Sequence, residues 1–154
     1  MPTDGPYSVR PLQDRDHDRW LDLWARYLSF YRGEIPDHVT DLTFQRLREG
    51  SEGMLGLVAT APDEAPVGLA HLVFHSSTWA TNGHCYLEDL YVDRAARGSD
   101  VSRALFDAVF AEARARGSER VYWHTQQFNG AARSLYDTVG VLTSMVEYEL
   151  LLCS

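Results

Sequence analysis

Two adjacent carboxylates stand in the middle of an apolar run, Cys85-Tyr86-Leu87-Glu88-Asp89-Leu90-Tyr91-Val92. Acidic residues are depleted from strands, so a pair of them there needs either a compensating partner or a task. Side chains alternate along a strand, which puts Glu88 on one face with Tyr86, Leu90 and Val92, and Asp89 on the other with Leu87 and Tyr91. Glu88 in such a strand is either a base that takes a proton from an attacking group, directly or through water, or a structural carboxylate satisfied inside the sheet. Asp89, on the opposite face, reads as structural. Beyond the strand, Asp93-Arg94-Ala95-Ala96-Arg97-Gly98-Ser99 leads into a helical pattern that begins at Val101. The open N–H groups and dipole of that helix start suit a pyrophosphate, and Arg97 and Arg103 can add charge. An ordinary loop with Ser99 or Asp100 as N-cap gives the same pattern.

Other reactive side chains are less informative. His71, His75, His84 and His124 are scattered among strand candidates, none at metal-ligand spacing, and each reads as a satisfied sheet residue. Cys85 and Cys153 are too few for a disulfide framework and read as free thiols. All 14 basic residues are arginine. Without lysine, Schiff-base chemistry and a Walker-type phosphate loop are excluded, since each needs the amine. The formal charge of −8 argues against nucleic acid as partner and suits a cationic one, although solubility alone accounts for most acidic chains. Tyr27, Tyr31 and Trp79 are candidates to hold a cation on their ring faces, with Tyr27 better read as core.

The elements that must position these residues follow from periodicity. Tyr7 to Leu12 reads as a short strand, and Asp14, Asp16 and Asp18 precede a helix whose Trp20, Trp24, Tyr27, Leu28 and Tyr31 form one buried stripe. Thr40 to Glu49 predicts a second helix stopped by Gly50. Met54 to Ala61 and Val67 to His75 predict a hairpin around Pro62–Pro66, and Ser76 to Gly83 reads as a polar connection. Cys85 to Val92 is the third of these strands, Val101 to Arg116 a helix closed by Gly117, and Arg120 to Gln126 another strand. Asn129 to Val139 predicts a helix with Ala132, Leu135, Tyr136 and Val139 on one face. Val141 to Leu152 predicts a terminal strand region with Val146, Tyr148, Leu150 and Leu152 alternating. The order is β-α-α-β-β-β-α-β-α-β, one mixed sheet covered by helices. No apolar run is long enough to span a bilayer and the N-terminus lacks signal-peptide features, so a cytoplasmic protein without membrane contact is expected.

Leu87-Glu88-Asp89-Leu90-Tyr91-Val92, then Arg97-Gly98 and Arg103-Ala104-Leu105-Phe106, resembles the acetyl-CoA-binding core of the GNAT superfamily of N-acetyltransferases. Val121-Tyr122-Trp123-His124-Thr125-Gln126-Gln127-Phe128-Asn129, followed by Ala132, Leu135 and Tyr136, resembles its other hallmark segment. Within the superfamily, the Leu-Glu-Asp strand and the stretch from Trp24 to Tyr31 are most similar to the polyamine and histone acetyltransferase-like branch. The resemblance implies an α/β (α+β) fold with a mostly antiparallel central sheet, a single domain over residues 1–154, and a cytoplasmic homodimer. It implies acetyl-CoA as acyl donor and a primary amine of a small, polyamine-like molecule or a peptide as acceptor, attacked directly, with no metal. Leu90, Tyr91 and Val92 would pair with the pantetheine arm and stabilise the oxyanion by their N–H groups. The loop Arg97, Gly98, Ser99, Asp100, Val101, Ser102 and Arg103 would hold the pyrophosphate. Asn129 and Ala132 would contact the cofactor arm. Tyr136 would protonate the leaving thiolate, Glu88 would serve as base, and Tyr31, Trp79 and Glu88 would line the acceptor site. The family loop usually carries glycines where this chain has Asp100 and Ser102, which keeps a second reading open, a non-catalytic acyl-CoA-binding or dimerising module.

Overall fold

The computed structural model describes residues 7–97, 100–126 and 129–152. Five strands form one sheet in chain order: β1 (Ser8–Pro11), β2 (Met54–Thr60), β3 (Pro66–Ser77), β4 (Ala80–Val92) and β5 (Val121–Tyr122). β1 to β4 are antiparallel, and β5 runs parallel to β4. The helices are α1 (His17–Phe30), α2 (Asp37–Glu49), α3 (Val101–Ala115) and α4 (Gly130–Val139). This is the expected mixed, mostly antiparallel α/β architecture. Its contacts divide into two compact units, Met1–Trp123 and His124–Ser154.

In the first unit, the aromatic stripe of α1 drives packing. Trp20, Leu23 and Trp24 are buried with Phe44 and Leu47 of α2 against Leu12, Val58 of β2 and Leu69 of β3. Each fully buried side chain of this kind stabilises by about 1.5–3 kcal/mol relative to exposure. On the opposite face of the sheet, Val101 and Leu105 of α3 approach the Cα side of Gly68, where an added Cβ would meet both at 3.2–3.3 Å. Gly68 therefore allows α3 to sit close. α2 ends at Gly50, whose φ of 71° is the left-handed conformation of a helix stop.

The segment from Ser76 to Gly83, expected as a connection, instead prolongs β3 and β4 into one hairpin closed at Ser77 and Ala80. Its polar side chains Ser76, Thr78, Thr81 and Asn82 are exposed to water. Gly83 has φ of 77° where its pseudo-Cβ would collide with the His75 carbonyl, so the hairpin needs glycine there. The strand expected over Arg120 to Gln126 is only Val121–Tyr122, because pairing with β4 stops after Cys85 and Tyr86.

In the second unit, Asn129 caps α4, its Oδ1 accepting from Ala132 N at 3.4 Å. The terminal strand expected over Val141 to Leu152 is absent: those residues pair with no strand among the described residues. Leu142 is 72% exposed and Leu152 92%. Alternation of apolar residues encodes a strand only when a neighbouring strand accepts its hydrogen bonds.

Candidate active site

The carboxylate pair sits on a β-bulge. His71 of β3 pairs with Asp89, but the next residue, Leu72, pairs with Leu87, so Glu88 is the extra residue in β4. The bulge overturns part of the alternation expected from sequence. Leu87, opposite Leu72, shares the α3 face with Leu90 and Val92, while Tyr86, Asp89 and Tyr91 face α1. One inserted residue moves every side chain before it to the other face.

On the α1 face, Asp89 is more than a structural carboxylate in isolation. His71, 2% exposed, has both ring nitrogens engaged: Trp20 Nε1 lies 3.0 Å from Nε2, and Asp89 Oδ2 lies 2.9 Å from Nδ1. An indole N–H only donates, so Nε2 accepts and Nδ1 carries the proton that it donates to Asp89. The Tyr27 hydroxyl also hydrogen-bonds Asp89, and burial and then that carboxylate's charge push the Tyr27 pKa up. The Tyr31 ring lies tilted against that of Tyr27 with centroids 4.8 Å apart, and its pKa is raised by burial and by Asp89. Tyr91 meets the Tyr27 ring edge-on. Tyr27 is thus a core residue whose hydroxyl reaches Asp89, a polar end that the helical stripe concealed.

Glu88 projects from the bulge with one side open to solvent. Partial burial, and then the Asp89 charge, raise its pKa. Trp79 is 90% exposed at the hairpin tip. Glu88 lies nine positions farther along β4, on the order of 30 Å of extended chain, so Trp79 and Glu88 are not brought together. Tyr31, by contrast, lies close enough to Asp89 to feel its charge.

The other edge of β4 is open. β5 pairs only at Cys85 and Tyr86, so from Leu87 to Val92 no strand covers it among the described residues. Asp93 N donates to Val67 O of β3, and backbone groups alternate along a strand. Those of Tyr91 are therefore directed at β3 and those of Leu90 and Val92 at the open edge. The Val92 carbonyl accepts from Arg97 Nε at 3.2 Å, and the Arg97 guanidinium lies 5.5 Å from the Tyr91 ring centre. Past it, Gly98 and Ser99 lie outside the described residues. Asp100 is the N-cap of α3 without a side-chain cap bond, its carboxylate exposed. The first turn leaves N–H groups of Val101, Ser102 and Arg103 without intrahelical partners. The Val101 side chain is wholly buried, and Arg103 pairs with Asp107 at 3.3 Å.

Asp93 anchors this end of β4 to α1, with Arg19 Nη2 at 2.6 Å and Arg26 Nη1 at 3.1 Å. Cys85 is a buried free thiol whose pKa burial pushes up to about 11, inert at neutral pH. His75 bridges the Ser76 carbonyl and the Tyr122 hydroxyl, His84 lies against His75, and His124 faces Glu147 at 3.7 Å. No group of three metal-ligating side chains occurs among the described residues. In the second unit, Tyr136 is half-buried on the stripe of α4 with Ala132, and Thr125 Oγ1 is buried with no hydrogen-bond partner among the described residues.

A bulged strand with an open edge, leading through a basic loop into a helix start, defines an acyltransferase of the acetyl-CoA-using type. The sequence pattern of the Acetyltransferase (GNAT) family matches residues 18–141, and the chain belongs to that family. It is similar to the D-amino-acid N-acetyltransferase of Saccharomyces cerevisiae, 32% identical over 143 residues, 92% of this chain and 88% of that one. The thialysine N-epsilon-acetyltransferase of Caenorhabditis elegans is 31% identical over 99 residues, 63% of this chain and 61% of its own length. Among solved structures, the AAC(6')-Iy complex with a CoA-linked acetylneamine bisubstrate analogue superposes with a TM-score of 0.81 at 16% identity, covering 97% of this chain and 100% of that one. The ribosomal-protein-alanine N-acetyltransferase of Brucella melitensis biovar Abortus 2308 gives 0.75 at 19%, with coverages of 95% and 99%. The chain is an acetyl-CoA-dependent N-acyltransferase. No described helix is long and apolar enough to cross a membrane.

Proposed function

We propose that this enzyme transfers the acetyl group to a primary amine of a small, polyamine-like molecule or a peptide, by direct attack of the amine. The observation that carries the reading is the Glu88 bulge beside the open edge of β4. Acetyl-CoA supplies an activated thioester carbonyl. Leu90 and Val92 hold its pantetheine arm through their edge-facing backbone groups, as another strand would, with Tyr91 fixing their register from the β3 side. An amide-rich arm fits an edge whose N–H groups lack strand partners among the described residues. Arg97, Gly98, Ser99, Asp100, Ser102 and Arg103, with the backbone of Val101, hold the pyrophosphate at the start of α3. The exposed Asp100 carboxylate has room to turn to water. Asn129 contacts the arm through its amide nitrogen while its oxygen caps α4, and Ala132 packs beside it.

Glu88 acts as the base. An ammonium cannot attack until it loses a proton, and a carboxylate with a raised pKa accepts one more readily than an ordinary one. The N–H groups at the Leu90–Val92 end of β4 donate to the carbonyl oxygen as it gains charge. Tyr136 protonates the departing thiolate, the phenol having an ordinary pKa of about 10 against about 8.5 for a thiol. Tyr31 and Glu88 line the acceptor side, and Trp79, at the far hairpin tip, stands away from it. The net charge of −8 favours a cationic substrate. The relatives named for D-amino acids and thialysine support an amine acceptor.

Residues 1–154 work as one domain in this reading, in the cytoplasm, where a free Cys85 stays reduced. A homodimer would give the exposed alternation of Val146, Tyr148, Leu150 and Leu152 a partner. The decisive experiment is thiol release from acetyl-CoA against a panel of primary amines. Release should depend on the amine, and Tyr136→Phe should lower turnover by at least about tenfold, near the lower end of general acid catalysis, while CoA still binds by calorimetry. Release indifferent to every amine would remove the acceptor assignment, and unchanged turnover in Tyr136→Phe would remove the acid.

A further inference from the structure

The Trp20–His71–Asp89 chain is more elaborate than strand pairing requires. Three side chains from α1, β3 and β4 are joined by two hydrogen bonds of 3.0 and 2.9 Å, in a layer where Trp20 is 0% and His71 2% exposed. The indole N–H fixes the tautomer, and the tautomer fixes which way the proton on the other ring nitrogen points. Asp89 receives that proton's hydrogen bond and one from Tyr27, yet its side chain remains 13% exposed beneath Tyr31, which is itself 38% exposed. The carboxylate is therefore aimed, held by two donors, and reachable. Of the described cationic side chains on this face, Arg19 and Arg26 are committed to Asp93 and Asp22, and Arg97 lies against the Tyr91 ring with its Nε on the Val92 carbonyl.

We propose that Asp89 is the seat of a second, non-reacting ammonium of the acceptor, capped by the Tyr27 and Tyr31 rings, and that His71, fixed by Trp20, is its positioning residue. The proposal rests on the amine-acceptor reading above and adds its substrate class, a diamine or an amino acid with a basic side chain. The two neighbouring carboxylates then have separate duties. Glu88, in the bulge, takes the proton of the attacking amine. Asp89 takes no part in the proton transfer and faces the second cation, an arrangement strengthened by aromatic faces around that cation. No bond is made or broken at Asp89.

The test compares 1,4-diaminobutane with 1-aminobutane, which presents the same reacting amine without the second charge, in the full-length enzyme with saturating acetyl-CoA. Wild type should favour the diamine in kcat/KM by about tenfold or more, the equivalent of one charge-assisted contact. Asp89→Asn should abolish that preference, chiefly through KM for the diamine. Two His71 variants separate positioning from mere packing. His71→Asn keeps a donor at the Nδ1 position and should retain most of the preference. His71→Gln keeps an acceptor for Trp20 but offers Asp89 no donor there, and should lose it. Thermal melts confirm that each variant is folded, and calorimetric titration of CoA-loaded protein with 1,4-diaminobutane reads the same site without turnover. Equal use of both amines by wild type, or a preference that survives Asp89→Asn, overturns the proposal and leaves the acetyltransfer reading standing. Acetyl-CoA binding with neither amine acetylated, and no diamine binding, overturns both.

Discussion

The two faces of β4 are built from different chemistry. Toward α3 the strand presents Leu87, Leu90 and Val92, apolar side chains with nothing to titrate, on the face where Val101 and Leu105 approach Gly68. Toward α1 it presents Tyr86, Asp89, Tyr91 and Asp93 to a layer of indole, imidazole, phenol and guanidinium groups. Glu88 stands at the bulge where the two patterns change over. One strand thus presents an apolar layer on one side and a polar, titratable layer on the other. The bulge lets it do so, because it turns Asp89 toward α1 while Leu87 stays in the apolar layer.

The largest expected effect tests the bulge itself. Partial burial and then the Asp89 charge raise the Glu88 pKa from its ordinary 4.5, and a base works only when ionised. Activity should therefore fall as pH drops through that raised value, and Glu88→Gln should lower kcat by about 10²–10⁴ at neutral pH, the usual range for general acid–base groups. The stability sign is opposite. A raised folded pKa contributes stability that is complete below the unfolded value and lost as pH rises through the folded one. At pH 7 Glu88→Gln should consequently cost no melting temperature. A pH–rate profile with parallel melts checks both, and a variant that loses activity only because it unfolds would erase the division between the faces.

On the α3 face the expectation reverses. Leu105, wholly buried, should cost about 2–5 kcal/mol as Leu105→Ala, by lost transfer energy and the cavity left behind. The loss should be the same at pH 4 and pH 7 in urea unfolding, since no ionisable group lies in that contact, and turnover per folded molecule should be retained. A loss that varies with pH would show that the apolar face is coupled to the ionic one.

Much of this was legible in the sequence. The Trp20 and Trp24 part of the α1 stripe, the Gly50 and Gly117 stops, the Pro62–Pro66 hairpin and the Asn129 cap are local signals, decided within a few residues, and all occur in the structure, whereas Tyr31, read as the end of that buried stripe, is 38% exposed. What was not legible depends on pairing. The bulge at Glu88 exists only relative to β3, so strict alternation misplaced Tyr86 and Leu87. His71 looked like one more strand histidine because Trp20 and Asp89 are 51 and 18 residues away from it. The terminal segment carries the alternation of a strand, but alternation states a preference for a face and cannot supply the neighbour that satisfies the backbone.

The smallest expected effect lies where the ionic face ends. Asp93 is buried, and burial pushes its carboxyl pKa up, but the Arg19 hydrogen bond and charge, with Arg26, outweigh it and hold the pKa below the ordinary value. A depressed carboxylate adds stability above its unfolded value of about 3.9, and the contribution is lost as pH falls through the folded value. Asp93→Asn keeps the shape and removes the charge. Because Arg19 and Arg26 are 31% and 49% exposed, solvent screens the pairs, and the loss at pH 7 should be about 1 kcal/mol rather than that of a sealed ion pair. Urea unfolding should show that difference at pH 7, shrinking below pH ~3.9 as the wild-type carboxyl protonates too. It should also shrink in high salt, unlike the loss at Leu105. A deficit at Asp93 that ignored both acid and salt would mean that Asp93 ties β4 to α1 by packing alone, and the contrast between the faces would end at Asp89.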